Sequence, residues 1–146
     1  MDLLKSRVAQ VATLAFGAFL IIPVNFVQAL EQGSKKPSLS LKASPAVSFA
    51  PARVVIVAEL KGGADDSEEL YCPTVEWEWG DLTTSTQEAD CEPYAAGKST
   101  IKRRFTVEHQ FRNPGGFKVV LRLKKGQKVV ASANTLVQVR PGLGQD

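Results

Sequence analysis

Two glutamates stand two residues apart in the stretch VEWEWGD, Val75 to Asp81, and the only histidine, His109, follows further on. On an extended strand, residues two apart point to the same side with their origins about 6.5–7 Å from one another. That spacing overlaps the one at which inverting glycosidases hold an acid and a base on either side of the bond they cleave. With His109 as a second base, Glu76 and Glu78 would form the site of a small secreted hydrolase or inhibitor. Two physical requirements count against it. Glycosidase carboxylates face each other across a cleft, and one must be buried to raise its pKa. A histidine base, in turn, needs a nucleophile and an orienting acid, and no G-x-S-x-G or related nucleophile signature is present. The alternation of Val75, Trp77 and Trp79 with Glu76 and Glu78 instead predicts a strand with its indoles in a core and its glutamates in water, closing in a turn at Gly80-Asp81. Trp79, nearer the strand end, keeps a second reading as an exposed platform for stacking a sugar.

His109 is expected to cap the corner before Phe111, and RNPGGF to form a turn held by Pro114 and its two glycines. The run GGADDSEE places Asp65, Asp66, Glu68 and Glu69 together, oxygen donors suited to calcium, but without the alternating order of a dedicated calcium loop. A solvated loop is the favoured reading, and no cofactor is expected. Cys72 and Cys91 are the only cysteines. Tetrahedral zinc would need four donors, so in an exported chain a disulfide is the expected state. It closes a loop of 18 residues.

The elements that must position these residues read as strands. The chain has 146 residues and 44% hydrophobic content, enough for one core. Lys5 and Arg7 precede an uncharged run from Val8, and small residues at Val27 and Ala29 precede a return to polarity. This is the pattern of a secretory signal over residues 1–29, cut after Ala29. The alternative is retention of Val8 to Leu30 as a membrane anchor, which is long enough to span hydrocarbon. A secreted or periplasmic location follows, with membrane attachment only if the segment is retained. Residues 30–37 read as a flexible linker, 38–140 as one domain, and 141–146 as a disordered tail. Within the domain the hydrophobic period is two: SLSLKA alternates, ARVVIVAEL is nearly continuous and so central or buried on both faces, and Ile101, Phe105, Val107 and Phe111 share a side from which Arg103 stands out as the exception. FKVVLRLKKGQKVVASANTLVQV reads as a hairpin turning at Lys125-Gly126. About six short strands without a helical period imply an all-β, immunoglobulin-like antiparallel sandwich. The cysteines are too close in sequence to join opposing sheets, and should staple one long loop to the end of the tryptophan strand.

The mature chain carries a charge of only about +2, and its basic residues are scattered, so nucleic acid is not indicated as a partner.

Two blocks resemble the PKD domain, the immunoglobulin-like sandwich named for polycystin. The first is met by Trp77, Trp79, Gly80 and Asp81. The second is met by His109, Phe111, Pro114, Gly115, Phe117, Val119, Leu121 and Leu123 at unbroken spacing. The resemblance runs from about Ser38 to Val139. Leu82 stands where that family usually has a second glycine, Glu78 replaces an aspartate, and the 27 residues between Asp81 and His109 exceed the usual connection. What the resemblance implies is a non-catalytic module for protein or carbohydrate recognition, or for structural spacing, at the cell envelope.

Overall fold

Alternation of apolar and polar residues sets the strands and the gaps between them set the turns. The computed structural model describes residues 36–142. The expected signal segment and its cleavage point, most of the linker and the last four residues of the expected tail lie outside the described residues. Eight strands follow in chain order: β1 (Ser38–Ser44), β2 (Val47–Phe49), β3 (Ala52–Lys61), β4 (Thr74–Glu78), β5 (Thr84–Gln87), β6 (Arg104–Phe111), β7 (Gly115–Lys125) and β8 (Lys128–Arg140). One 3-10 turn, Glu68–Leu70, lies between β3 and β4.

The strands form two sheets, one of order β1-β3-β6 and one of order β2-β8-β7-β4-β5. All pairs are antiparallel except β2 with β8, which run parallel. The first segment of the domain thus leaves one sheet after β1 and joins the far edge of the other as β2. This is an immunoglobulin-like sandwich, as the strand pattern predicts.

The core lies between the sheets. Val54, Ile56, Trp77, Phe111, Val119, Leu121, Leu123, Val137 and Val139 are its largest fully buried side chains. The β7–β8 hairpin turns where the sequence places it, with a register shift between Leu123 and Lys124. A smaller cluster of Leu60, Leu70 and Ile101 closes one end.

One expectation is overturned and two are sharpened. β3 is central in its sheet, but it is fully buried on one face only: Ala52, Val54, Ile56, Ala58 and Leu60 point into the core, while Val55 and Val57 are half-buried on the outer face. The glycines of RNPGGF do not hold the turn, because Gly115 and Gly116 already pair with Val139 and Gln138 as the first residues of β7. Finally, Arg103 is an exception with a purpose. Its guanidinium donates to the carbonyls of Leu60, Gly62 and Gly63 and to the Asp65 carboxylate, so it gathers the loop that follows β3.

Candidate functional site

The stretch VEWEWGD forms β4 and the turn after it, and it divides its chemistry between two sides of a sheet. Trp77 and Trp79 are 1% and 2% exposed and point inward, which closes the reading of Trp79 as an exposed sugar platform. Trp77 stacks on Trp79 with ring centres 5.5 Å apart, and Trp79 stacks on His109 at 4.1 Å. His109 in turn meets the face or edge of Phe111 at 4.8 Å, and Phe111 stacks on Phe117 at 4.6 Å. The five rings come from β4, the residue that follows it and β7 on one side, and from β6 of the other sheet, so the column ties the layers together. The Trp79 indole N–H donates to Ser85 Oγ at 3.2 Å, which gives the polar strand β5 its one inward bond.

His109 does not cap its own corner. Its Nε2 lies 2.8 Å from Asp81 Oδ2, across the gap between the sheets. The other oxygen, Asp81 Oδ1, accepts from the Thr83 amide at 3.1 Å and from the Thr83 hydroxyl. Burial raises the Asp81 pKa, but the hydrogen bonds from Thr83 and His109 outweigh it and hold the carboxyl below its ordinary range. The stabilisation this carries is present above the ordinary aspartate value of 3.8 and is lost as pH falls through the lower, folded value. The gap in thermal midpoint between the wild type and Asp81→Asn is therefore expected to be wide at neutral pH and to shrink below pH 3.8. A gap constant down to acid unfolding would show that the carboxylate charge contributes nothing.

Backbone geometry fixes this corner. Gly80 has φ +78°, and a Cβ there would stand 2.8 Å from the Lys118 carbonyl oxygen, so no side chain fits. Leu82 also has a left-handed φ, 70°, and its side chain is wholly exposed. A non-glycine residue held there costs about 1–2 kcal/mol, while glycine costs about 0.5–1 kcal/mol in unfolded-chain entropy. Leu82→Gly is thus expected to raise stability by up to about 1 kcal/mol, read as a higher urea midpoint at unchanged slope. A lower midpoint would mean that the leucine side chain itself supports the turn.

Glu76 and Glu78 lie on the opposite, outer face of the same strand. Glu76 is bonded to Lys124 at 2.9 Å and to Arg122 at 3.3 Å, and Glu78 to Arg122 at 2.8 Å. The Lys124 hydrogen bond, with Arg122 beside it, holds the Glu76 pKa below the usual carboxylate range against a smaller opposing effect of desolvation. A general acid needs the reverse shift. His109 is on the inner side of the sandwich, so the three residues of the hydrolase reading are not brought together.

Beside the Asp81–His109 pair is an open cleft of about 610 Å³, between the turn of Asp81, Leu82 and Thr83 and the turn of Arg112, Asn113 and Pro114. Phe117 and Gln110 border it. Arg112 and Asn113, absent from the sequence motifs as polar groups, supply rim donors here. Only the topology, which brings the ends of β4 and β6 to one end of the sandwich, identifies them.

At the other end, Cys72 and Cys91 form a disulfide with Cα atoms 6.3 Å apart, which staples the segment after β5 to the residue pair before β4. Tyr71 donates to the Glu92 carbonyl and Tyr94 to the Asp66 carbonyl on the same flank. In the acidic run, Asp65 is taken by Arg103 and Glu69 by Lys128. Among the described residues no three such donors gather as a metal site would need.

No family model matches the chain, and no curated protein does. Among solved structures, the crystal structure of the CARDB domain of the PF1109 protein from Pyrococcus furiosus, in complex with di-metal ions, is similar with a TM-score of 0.47 and 10% identity, over 74% of this chain and 90% of that one. The solution NMR structure of the same domain gives a TM-score of 0.47 and 11% identity over 71% and 94%.

Proposed function

We propose that the protein is a secreted or periplasmic, non-catalytic recognition module of PKD type, whose contacts with a protein or glycan of the cell envelope are made by loops at the cleft end of the sandwich. One observation carries this reading. The residues of the hydrolase reading and the one carboxylate at the cleft are already spent on structure: Asp81 on Thr83 and His109, His109 within the ring column, and Glu76 and Glu78 on Arg122 and Lys124. What is left free at the cleft is a fully exposed leucine, a guanidinium and an amide, groups that bind rather than transform. The signal-like pattern read over residues 1–29 of the sequence supports the location, and the intact mass of the exported protein checks cleavage after Ala29, a chain starting at Met1 being the contrary result.

The test is titration against panels of glycans and envelope proteins, followed by amide shifts at Leu82, Arg112 and Asn113. Binding that moves these amides is the expected result. Turnover of a substrate by the purified protein, abolished by Glu76→Gln with the fold intact, would overturn it in favour of a hydrolase.

A further inference from the structure

Among the described residues five large apolar side chains are exposed, and three of them, Val47, Phe49 and Leu136, share the outer face at one edge of the five-stranded sheet. Register shows the clustering. Val47 lies opposite Gln138 and Phe49 opposite Arg140 on β8, and Leu136, two residues before Gln138, lies opposite Lys118 on β7. The intervening Val137 and Val139 point into the core, so this set points out. Lys118 and Arg140 make no ion pair among the described residues. The carboxylates on the same face, Glu76 and Glu78, lie on β4 and are committed to Arg122 and Lys124. The result is an apolar strip with cations on its inner side that make no ion pair among the described residues.

The backbone adds a second, directional feature. β8 takes the Ala46 carbonyl through the Gln138 amide and the Ala50 amide through the Arg140 carbonyl, each at 2.8 Å. Alternation along a ladder then turns the N–H and C=O groups of Val47 and Phe49 away from β8 and off the edge of the sheet. Among the described residues no charged side chain stands on this edge, whose three-residue strand is bounded by Pro45 and Pro51.

We infer that β2 is a docking edge for a short extended segment of an acidic partner protein, added as a further strand, whose carboxylates meet Arg140 and are drawn by the nearby charge of Lys118. This rests on the recognition reading and names the chemistry of one partner. The added backbone satisfies the outward groups of Val47 and Phe49, its apolar side chains cover those of the strip, and its charge complements the two cations. An added strand lies about 10 Å from β8, a gap that the Arg140 side chain and a glutamate reaching back towards it cover together, while Lys118, one strand further in, adds attraction at longer range. A lipid surface fits less well, because it would cover the strip and leave the edge amides without acceptors.

The probe is a blocked heptapeptide of alternating valine and threonine with a glutamate at each end, added to the full-length protein. The amides of Val47 and Phe49 are expected to exchange freely in the unbound protein, and to shift and become protected with this peptide. Lys118→Glu with Arg140→Glu, both at exposed positions, should weaken the glutamate peptide by about tenfold or more and favour a lysine-ended version. Four results would overturn the inference: edge amides already protected in the free protein, equal binding of both peptides, stronger binding to phosphatidylglycerol vesicles, or shifts confined to Leu82, Arg112 and Asn113. The last would leave the recognition reading standing, so failure of the two is distinguishable.

Discussion

Trp77→Ala is expected to lower stability by about 3–5 kcal/mol, a large part of the roughly 5–15 kcal/mol available to a small domain. Trp77 is 1% exposed and begins the ring column that runs through Trp79, His109, Phe111 and Phe117. Its removal leaves a cavity against β7, where Leu121 is its direct cross-strand neighbour, and strips the stacking face from Trp79. Trp77→Phe is expected to cost much less. Phenylalanine keeps most of the buried area, and it deletes the Trp77 Nε1 group, the one buried side-chain polar atom without a partner among the described residues. Urea unfolding of the two variants, followed by circular dichroism, checks both values. Equal losses would mean that the indole nitrogen, not ring volume, is what the site needs.

Opening the Cys72–Cys91 bridge is the second large effect. Closing its 18-residue loop removes unfolded-chain entropy worth about 3 kcal/mol. Besides the bridge, the side-chain contacts that tie residues 88–100 to the domain are few: the Tyr71–Glu92 and Tyr94–Asp66 hydrogen bonds, and the Tyr71 and Tyr94 rings at 5.6 Å. Cys72→Ser with Cys91→Ser is therefore expected to lose about 3 kcal/mol, with hydrogen exchange rising first in residues 88–100, ahead of β3, β6 and β7. Uniform acceleration across both sheets would show instead that the bridge supports the whole sandwich and not one segment.

The fold was legible where alternation was strong. β4 and β7 alternate apolar residues through Val75 and Trp77 and through Phe117 to Leu123, β6 and β8 do so with only His109 and Thr135 interposed, and burial of those side chains is what selects the face. β5 escapes because TSTQ offers no apolar side chain, and its inward residue, Ser85, is there to accept the Trp79 N–H. β2 escapes because three residues between two prolines give no period at all, and only the crossing of the first segment to the second sheet creates it. At the candidate site, Asp81 and His109 are both marked by sequence motif, but their contact is not, since 27 residues separate them and the pairing depends on how β4 and β6 are stacked. Arg112, Asn113 and Leu82 carry no local signal of function. They gain one only from lying around the same cleft.

The central claim is that the two indoles are shut between the sheets while Glu76 and Glu78 face solvent. The chain has only two tryptophans, both on this strand or immediately after it, so its indole fluorescence reports on nothing else. Iodide quenching of the native protein is the most direct measurement. A blue-shifted emission that iodide barely quenches, and that becomes quenchable only in denaturant, is the predicted result. Free quenching of both rings in the native state would contradict the architecture and the structural roles assigned to every residue in the column.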